Sequence, residues 1–242
     1  MNPNKYQIDK LSVFFPCYNE EKNITTTVNK AVKVLENTAK EWEILLIDDG
    51  SKDNTPQILK KISQTNKNIT VITHNPNRGY GAALKSGLYN AKYPWITFTD
   101  ADGQFDFSEI KKLIKKQKAT QADLVIGFYK GRKVALYRIL GSKLWQFAVF
   151  FLFGLRVKDI DCGFKLIRKK VIDEIPKLES ERGPFISSEL LIKAKKSGFK
   201  IVEIGVSHFS RTEGEATGTK LNVIIAGFKD LIRLWYKTNF SK

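Results

Sequence analysis

Over the first 130 residues, short runs of β-branched and aromatic residues alternate with longer stretches in which apolar residues recur every three or four positions. The short runs are typical of β-strands, and the longer stretches are typical of amphipathic helices. Strands are predicted at 11–15, 43–48, 69–73, 95–100 and 123–127, and helices at about 20–39, 55–66, 80–91 and 108–118. This alternation predicts an α/β fold with a mostly parallel sheet and helices on both faces.

Beyond residue 134 the chain becomes more apolar and more basic. The pattern predicts a long helix in 134–155, a helix near 187–197, a strand near 199–206 and a terminal amphipathic helix at 221–237. The longest nearly apolar stretch, 144–155, is well short of the roughly 20 residues that span a bilayer. With no proline-rich linker, the sequence predicts one main domain over 1–220 and a C-terminal helical segment over 221–242 suited to a membrane surface.

Polar clusters follow four of the predicted strands. They are "PCYNEE" (16–21), "DDGSKDNT" (48–55), "NPNRGYGAA" (75–83) and "DADGQ" (100–104). In parallel sheets ligands bind beyond the carboxyl ends of the strands, so we expect the four clusters to meet at one edge of the sheet.

The fourth cluster has the composition of a metal site. In an extended segment Asp100 and Asp102 would point the same way, with Gln104 following them. Two carboxylates and an amide oxygen suit Mg²⁺ or Mn²⁺ that shares its shell with substrate phosphates. The alternative interpretation is an Asx turn whose carboxylates are solvated.

The charge of the chain favours anionic partners. Lys and Arg number 41 against 25 Asp and Glu, which gives +16, and Arg78 and Lys85 in "NRGYGAALKSG" are placed to reach phosphate. A nucleic-acid-binding module is disfavoured, because acidic clusters line the predicted sheet edge and no recognition-helix or RNP pattern occurs. The two cysteines, Cys17 and Cys162, lie far apart and do not indicate a disulfide framework.

Five motifs together resemble glycosyltransferase family 2, and within it the polyprenol-phosphate branch of the dolichol-phosphate mannose synthase type. They are "VFFPCYNEEKNI", "LLIDDGSKDNT", "NRGYGAALKSG", "FTDADGQFD" and "DCGFKLIRK", in the family's order and spacing. The resemblance implies a GT-A fold, a nucleotide-sugar donor such as a GDP- or UDP-sugar, and Mg²⁺ or Mn²⁺.

The resemblance also implies roles for individual residues. The nucleoside pocket would be lined by Pro16, Tyr18, Glu20, Asp48 and Asp49. The rest of the donor site would comprise Arg78, Lys85, Asp100, Ala101 and Asp102, and the metal would be held by Asp100, Asp102 and Gln104. The acceptor phosphate would meet Arg138, Arg132 and Arg211, which with Asp102 form the catalytic set. One departure is Tyr129, where relatives carry the arginine of a Gly-x-Arg motif, so Lys130 or Arg132 would take its place.

The implied reaction is inverting transfer of one sugar to polyprenyl phosphate on the cytoplasmic face of a membrane. We expect the protein to bind that surface peripherally or through a separate membrane-anchoring partner. The alternative is transfer to a glycan hydroxyl, as in polysaccharide synthesis. That reaction needs a carboxylate base, for which Glu189 and Asp161 are the candidates.

Overall fold

The computed structural model describes residues 7–130, 136–183, 185–209 and 221–240, with only the backbone of 136–138 and 221–225. Within these ranges one sheet contains β1 (Ile8–Cys17), β2 (Ala39–Asp48), β3 (Ile69–Thr73), β4 (Trp95–Phe98), β5 (Leu124–Lys130), β6 (Lys165–Arg168) and β7 (Ile201–Ser207). The order across the sheet is β3-β2-β1-β4-β6-β5-β7. Only β6 among these strands runs antiparallel to its neighbours, β4 and β5.

Helices cover both faces of this sheet. They are α1 (Ile24–Leu35), α2 (Thr55–Thr65), α3 (Tyr80–Asn90), α4 (Ile110–Thr120), α5 (Leu136–Phe153), α6 (Lys169–Glu174), α7 (Phe185–Lys196) and α8 (Leu221–Phe240). Adjacent residues of β1 point to opposite faces, so Phe14 stacks on Phe98 in one core, while Phe15 packs near Phe107 in the other. The predicted mostly parallel α/β architecture is confirmed.

Two features of the strands differ from the prediction. The strand predicted at 95–100 ends at Phe98, because the chain turns at 101–103. The four-residue β6 and the short α6 were not predicted. The sequence of β6, "KLIR", is short and carries a charged residue at each end, so it lacks the apolar pattern of a buried strand.

The terminal helix α8 contacts α5 and α7. Leu231 and Leu234 are buried in this contact, whereas Ile232, Tyr236 and Phe240 are exposed. In the part of the chain that the structure describes, no helix combines the length and apolar character needed to cross a bilayer.

Candidate active site at the carboxyl ends of the strands

The first three polar clusters meet where β1, β2 and β3 end. Cys17 pairs in register with Asp48, and Pro16 precedes it within β1. Beyond these strand ends, the Asp49 amide donates to the Cys17 carbonyl at 2.9 Å, and the His74 amide donates to the Asp48 carbonyl at 2.8 Å. The loops after three parallel strands are therefore joined to one another at one edge of the sheet.

Asp49, which follows β2, accepts hydrogen bonds from several residues of the loop after β3. Its Oδ1 atom lies 2.6 Å from His74 Nδ1 and accepts the Arg78 amide at 3.0 Å. Its Oδ2 atom accepts Asn77 Nδ2 at 2.8 Å and the Gly79 amide at 2.7 Å. A carboxylate can only accept, so His74 Nδ1 carries the proton in this pair. These hydrogen bonds from Asp49 hold residues 74–79 in their conformation. The predicted direct contact of Asp49 with a nucleoside stays a prediction.

The first cluster folds onto the loop after β2. The Glu20 amide donates to Thr55 Oγ1 at 2.8 Å, and the Ser51 amide donates to Asp48 Oδ1 at 3.0 Å. Asp48 is 1% exposed, whereas Tyr18, directly after β1, is 39% exposed. The structure brings these predicted nucleoside-pocket residues together.

Arg78 and Lys85 share one carboxylate. Glu181 Oε1 accepts Arg78 Nη2 at 3.0 Å and Lys85 Nζ at 2.8 Å. The hydrogen bond from Lys85, together with the charges of Lys85 and Arg78, lowers the pKa of Glu181 against the opposing effect of desolvation. The Glu181 carbonyl also accepts the Ala82 amide at 2.9 Å in the first turn of α3. Sequence reasoning missed Glu181, which lies 96 and 103 positions from its two partners.

The "DADGQ" cluster forms a turn, which corrects the extended geometry expected for 100–104. Gly103 has φ of 74°, a left-handed conformation that glycine adopts without strain. Asp102 Oδ1 accepts the Gln104 amide at 3.0 Å, as in an Asx turn. Asp102 is therefore held by its own loop, at 2% exposure.

Both carboxylates of this cluster lie near Tyr80. The Tyr80 hydroxyl donates to Asp100 Oδ1 at 3.0 Å. Desolvation, and then the charges of Asp100 and Asp102, raise the pKa of Tyr80 well above its ordinary value, so the phenol stays a donor. The Ala101 carbonyl accepts Thr27 Oγ1 at 3.0 Å, which joins this turn to α1. The fourth cluster thus lies at the same edge as the other three, as predicted.

The ligand set at the end of β4 fits a metal ion shared with a substrate. Mg²⁺ and Mn²⁺ bind through one or two carboxylates and complete their shell with waters and substrate phosphates. Within the described ranges, no group of three or more His, Cys, Asp or Glu residues is arranged to hold a metal ion. The donor set of Asp100 and Asp102, two hard carboxylates, suits an ion whose remaining ligands come from water and a diphosphate. Gln104 Nε2 donates to the Phe209 carbonyl at 3.0 Å, so any ligation by Gln104 would use Oε1.

A family model supplies the observation that decides the class of protein. The model described as Glycosyl transferase family 2 matches residues 12–176, more than half of the chain and all four polar clusters. The chain belongs to glycosyltransferase family 2. Its sheet and helices form the GT-A-like fold expected from the resemblance, and the prediction of a glycosyltransferase is confirmed.

Curated relatives and solved structures extend this assignment. Dolichyl-phosphate β-glucosyltransferase of Saccharomyces cerevisiae is 32% identical, over 94% of this chain and 75% of that protein. Undecaprenyl-phosphate 4-deoxy-4-formamido-L-arabinose transferase of Salmonella choleraesuis is 31% identical, over 90% of this chain and 65% of that protein. Glucosyl-3-phosphoglycerate synthase of Mycobacterium tuberculosis, crystallised with Mn²⁺, UDP and phosphoglyceric acid, gives a TM-score of 0.69 at 17% identity, over 95% of this chain and 78% of that one. At that identity the structural likeness shows the fold.

An aromatic cluster borders the Asp102 turn of this glycosyltransferase. Phe105 forms a β-bridge with His208, and the Phe209 amide donates to the Gln104 carbonyl at 2.9 Å. Tyr129, at the position where the family resemblance leads us to expect an arginine, stacks on Phe105 and lies 4.3 Å from the His208 ring, measured between centroids. Tyr129 thus packs against the turn. That Lys130 or Arg132 takes the place of the expected arginine stays a prediction.

The predicted acceptor-binding arginines are only partly described. Arg138 lies in the first turn of α5, and its side chain falls outside the described part of the structure. Arg132 and Arg211 also lie outside the described residues. Their contact with an acceptor phosphate therefore stays a prediction.

Glu189, one of the two candidate bases, is buried in a structural network. It is 2% exposed. Its Oε1 atom accepts the Glu179 amide at 2.8 Å and Lys193 Nζ at 2.6 Å, and its Oε2 atom accepts the Ser180 amide at 2.9 Å. These three donors account for both oxygens, so Glu189 supports the loop before α7. The other candidate, Asp161, is half-buried, and its amide donates to Asp159 Oδ1 at 3.0 Å.

Proposed function

We propose that this glycosyltransferase transfers one sugar, with inversion, from a GDP- or UDP-sugar to polyprenyl phosphate. The observation that carries the proposal is similarity over at least 90% of the chain to two enzymes named for polyprenyl phosphates. Those relatives differ in the sugar that they transfer, so the shared feature is the lipid phosphate. This is the reaction that the sequence motifs imply.

The burial of Glu189 removes one of the two candidate bases for a glycan hydroxyl acceptor. A hydroxyl must lose a proton during attack, and a carboxylate has to accept it. A lipid monophosphate is already an anion near pH 7, with a second pKa of about 6, and needs no base. Glu189 is 2% exposed and accepts main-chain amides and Lys193, so it is not accessible to an acceptor hydroxyl, and Asp161 is the candidate base that remains.

Different residues at this edge of the sheet would bind different parts of the nucleotide-sugar donor. The edge formed by Tyr18, Glu20 and Asp48 would accept the nucleoside, and Arg78 and Lys85 would face its phosphates. Asp100 and Asp102 would hold a divalent ion, which would supply positive charge to the nucleoside diphosphate.

The acceptor phosphate would be positioned by Arg138, Arg132 and Arg211. Because the nucleophile is already charged, alignment of the two substrates and neutralisation of phosphate charge are the main contributions required of these side chains.

Two exposed apolar stripes support membrane attachment. On α5 the exposed side chains recur at helical spacing, and they are Leu140, Leu144, Phe147 and Phe151. On α8 they are Ile232, Tyr236 and Phe240. Exposed cations, Lys143 and Arg156 near the first stripe and Lys229 and Arg233 on α8, complement anionic head groups. We propose that these helices lie on the cytoplasmic face of a membrane, peripherally or beside a separate anchoring protein.

The test of the proposed reaction is product formation from defined substrates. The purified protein is incubated with radiolabelled UDP- or GDP-sugars and either a short polyprenyl phosphate or a glycan acceptor, with Mn²⁺, Mg²⁺ or EDTA. We expect a metal-dependent product in which the label is linked to the lipid through phosphate. The unphosphorylated polyprenol is the matched control and should remain unlabelled. Labelling of glycan acceptors but not of polyprenyl phosphate would overturn the proposal.

A further inference from the structure

The Asp100 carboxylate accepts a hydrogen bond from a side chain of α3. The hydroxyl of Tyr80, the first residue of that helix, donates to Asp100 Oδ1 at 3.0 Å. A carboxylate that accepts such a bond loses rotational freedom and keeps its second oxygen pointed away from the donor.

The other oxygen of Asp100, Oδ2, lies against Gly163. A Cβ atom added to Gly163 would lie 2.8 Å from Asp100 Oδ2 and 3.3 Å from its Cγ, nearer than ordinary van der Waals contact. The Asp100 carboxylate therefore rests directly on the Gly163 backbone. Any side chain at residue 163 would have to displace it.

The segment that carries Gly163 is fixed by a buried lysine. Lys165 is 0% exposed, and its Nζ atom donates to the Ile160 carbonyl at 3.1 Å and to the Cys162 carbonyl. Asp159 Oδ1 accepts the Cys162 amide at 3.2 Å and so fixes the backbone just before Gly163. Burying an ammonium group is costly, so these contacts mark a segment whose conformation is strongly determined.

We propose that Tyr80 and Lys165 are positioning residues that orient the Asp100 carboxylate for the divalent ion, Tyr80 directly and Lys165 through the backbone at Gly163. The inference rests on the proposed function, because it requires that Asp100 and Asp102 bind the metal. Groups that orient metal-binding carboxylates raise metal affinity without touching the ion, and their loss typically costs about 10- to 100-fold.

The test measures Mn²⁺ affinity by electron paramagnetic resonance titration in the presence of UDP, so that no turnover is needed. Tyr80→Phe removes only the hydroxyl, and we expect Mn²⁺ to bind about tenfold more weakly. UDP affinity in EDTA should not change, since the bond acts on the metal ligand. The matched control is Tyr89→Phe on the same helix, whose hydroxyl accepts the Leu178 amide and which should retain full Mn²⁺ affinity.

The contact between Gly163 and Asp100 Oδ2 is tested by Gly163→Ala, with the folded state checked by circular dichroism. We expect Mn²⁺ affinity to fall about tenfold or more, because the new methyl group displaces Asp100. Gly141→Ala, where an added Cβ meets no atom within 4 Å, is the control and should bind Mn²⁺ normally. Folded Lys165→Met protein should show the same loss of Mn²⁺ affinity. If Lys165→Met does not fold, the result for Gly163→Ala decides the test.

The outcomes separate this inference from the proposed function. If the wild-type protein with UDP binds no Mn²⁺, or if Asp102→Asn binds it equally well, the metal site is wrong and the positioning role falls with it, whereas the transfer reaction is tested separately by product formation. If wild-type binding is strong and Asp102→Asn loses it, while Tyr80→Phe and Gly163→Ala bind as the wild type does, only the positioning role is overturned.

Discussion

Asp49 Oδ1 lies 2.6 Å from His74 Nδ1, and His74 Nε2 lies 2.8 Å from Ser86 Oγ, so a hydrogen-bonded line runs from the loop after β2 into α3. Asp49 and His74 are both nearly fully buried. The pair joins the second polar cluster to the loop that carries the third. Asp49 also accepts hydrogen bonds from residues 77–79 and so holds the loop in its conformation.

Replacing Asp49 by Asn should therefore destabilise the protein. The amide has one acceptor oxygen in place of two, and its NH₂ group would face donors such as the Gly79 amide. We expect a loss of about 3 kcal/mol in the free energy of unfolding, measured in urea. Asp173→Asn removes an exposed ion pair with Lys169 and should change stability by about 0.5 kcal/mol or less. Equal stability of the two variants would show that Asp49 does not organise the loop.

Glu181→Gln should strengthen nucleotide binding. The substitution removes the negative charge shared by Arg78 and Lys85 and leaves both cations more available to a diphosphate. UDP should bind about threefold more tightly at low salt, with a steeper dependence on ionic strength. Glu179→Gln removes a similarly exposed partner of Lys237 and should leave UDP affinity unchanged. Weaker UDP binding by Glu181→Gln would instead assign the carboxylate to nucleotide recognition.

The two thiols should be unreactive in the folded protein. Burial, foremost, raises the pKa of Cys17 well above its ordinary value and that of Cys162 to about 12. Both therefore stay protonated at pH 8, and a thiol-specific disulfide reagent should label neither until the protein is unfolded. In unfolded chains thiols ionise near pH 8.5, so this contribution to stability is complete below that pH and declines above it. Rapid labelling of the native protein at pH 8 would contradict the packing around these residues.

The apolar stripe on α5 should be required for membrane binding. Phe147→Ser with Phe151→Ser removes two side chains that are 62% and 77% exposed. We expect co-sedimentation with vesicles containing phosphatidylglycerol to fall at least tenfold. Lys115→Glu with Lys118→Glu on α4 makes a larger change in charge and should reduce binding much less. If the α4 variant loses binding and the α5 variant does not, the attachment surface has been assigned to the wrong helices.

The edge of the sheet that carries the site could be predicted because parallel strands end at a common edge. The same reasoning could not predict Tyr80, Glu181 or Gly163, whose roles depend on contacts between distant segments. Lys165 illustrates the difficulty, since a lysine in a short strand is expected at the surface, whereas here its ammonium group is buried and donates to the carbonyls of residues 160 and 162. The Asx turn at Asp102 was predicted only as the alternative to a metal site, and the structure combines that turn with a metal-compatible pair of carboxylates. The boundary at 220 and the acceptor-binding arginines stay predictions.

The central claim is that Asp100 and Asp102 bind a divalent ion together with the diphosphate of the donor. Its most direct test is calorimetric titration of UDP into the wild-type protein and Asp102→Asn, each with Mn²⁺ and with EDTA. For the wild type we predict that Mn²⁺ raises UDP affinity at least tenfold, and for Asp102→Asn that Mn²⁺ has almost no effect. An equal gain from Mn²⁺ in both proteins would contradict the account.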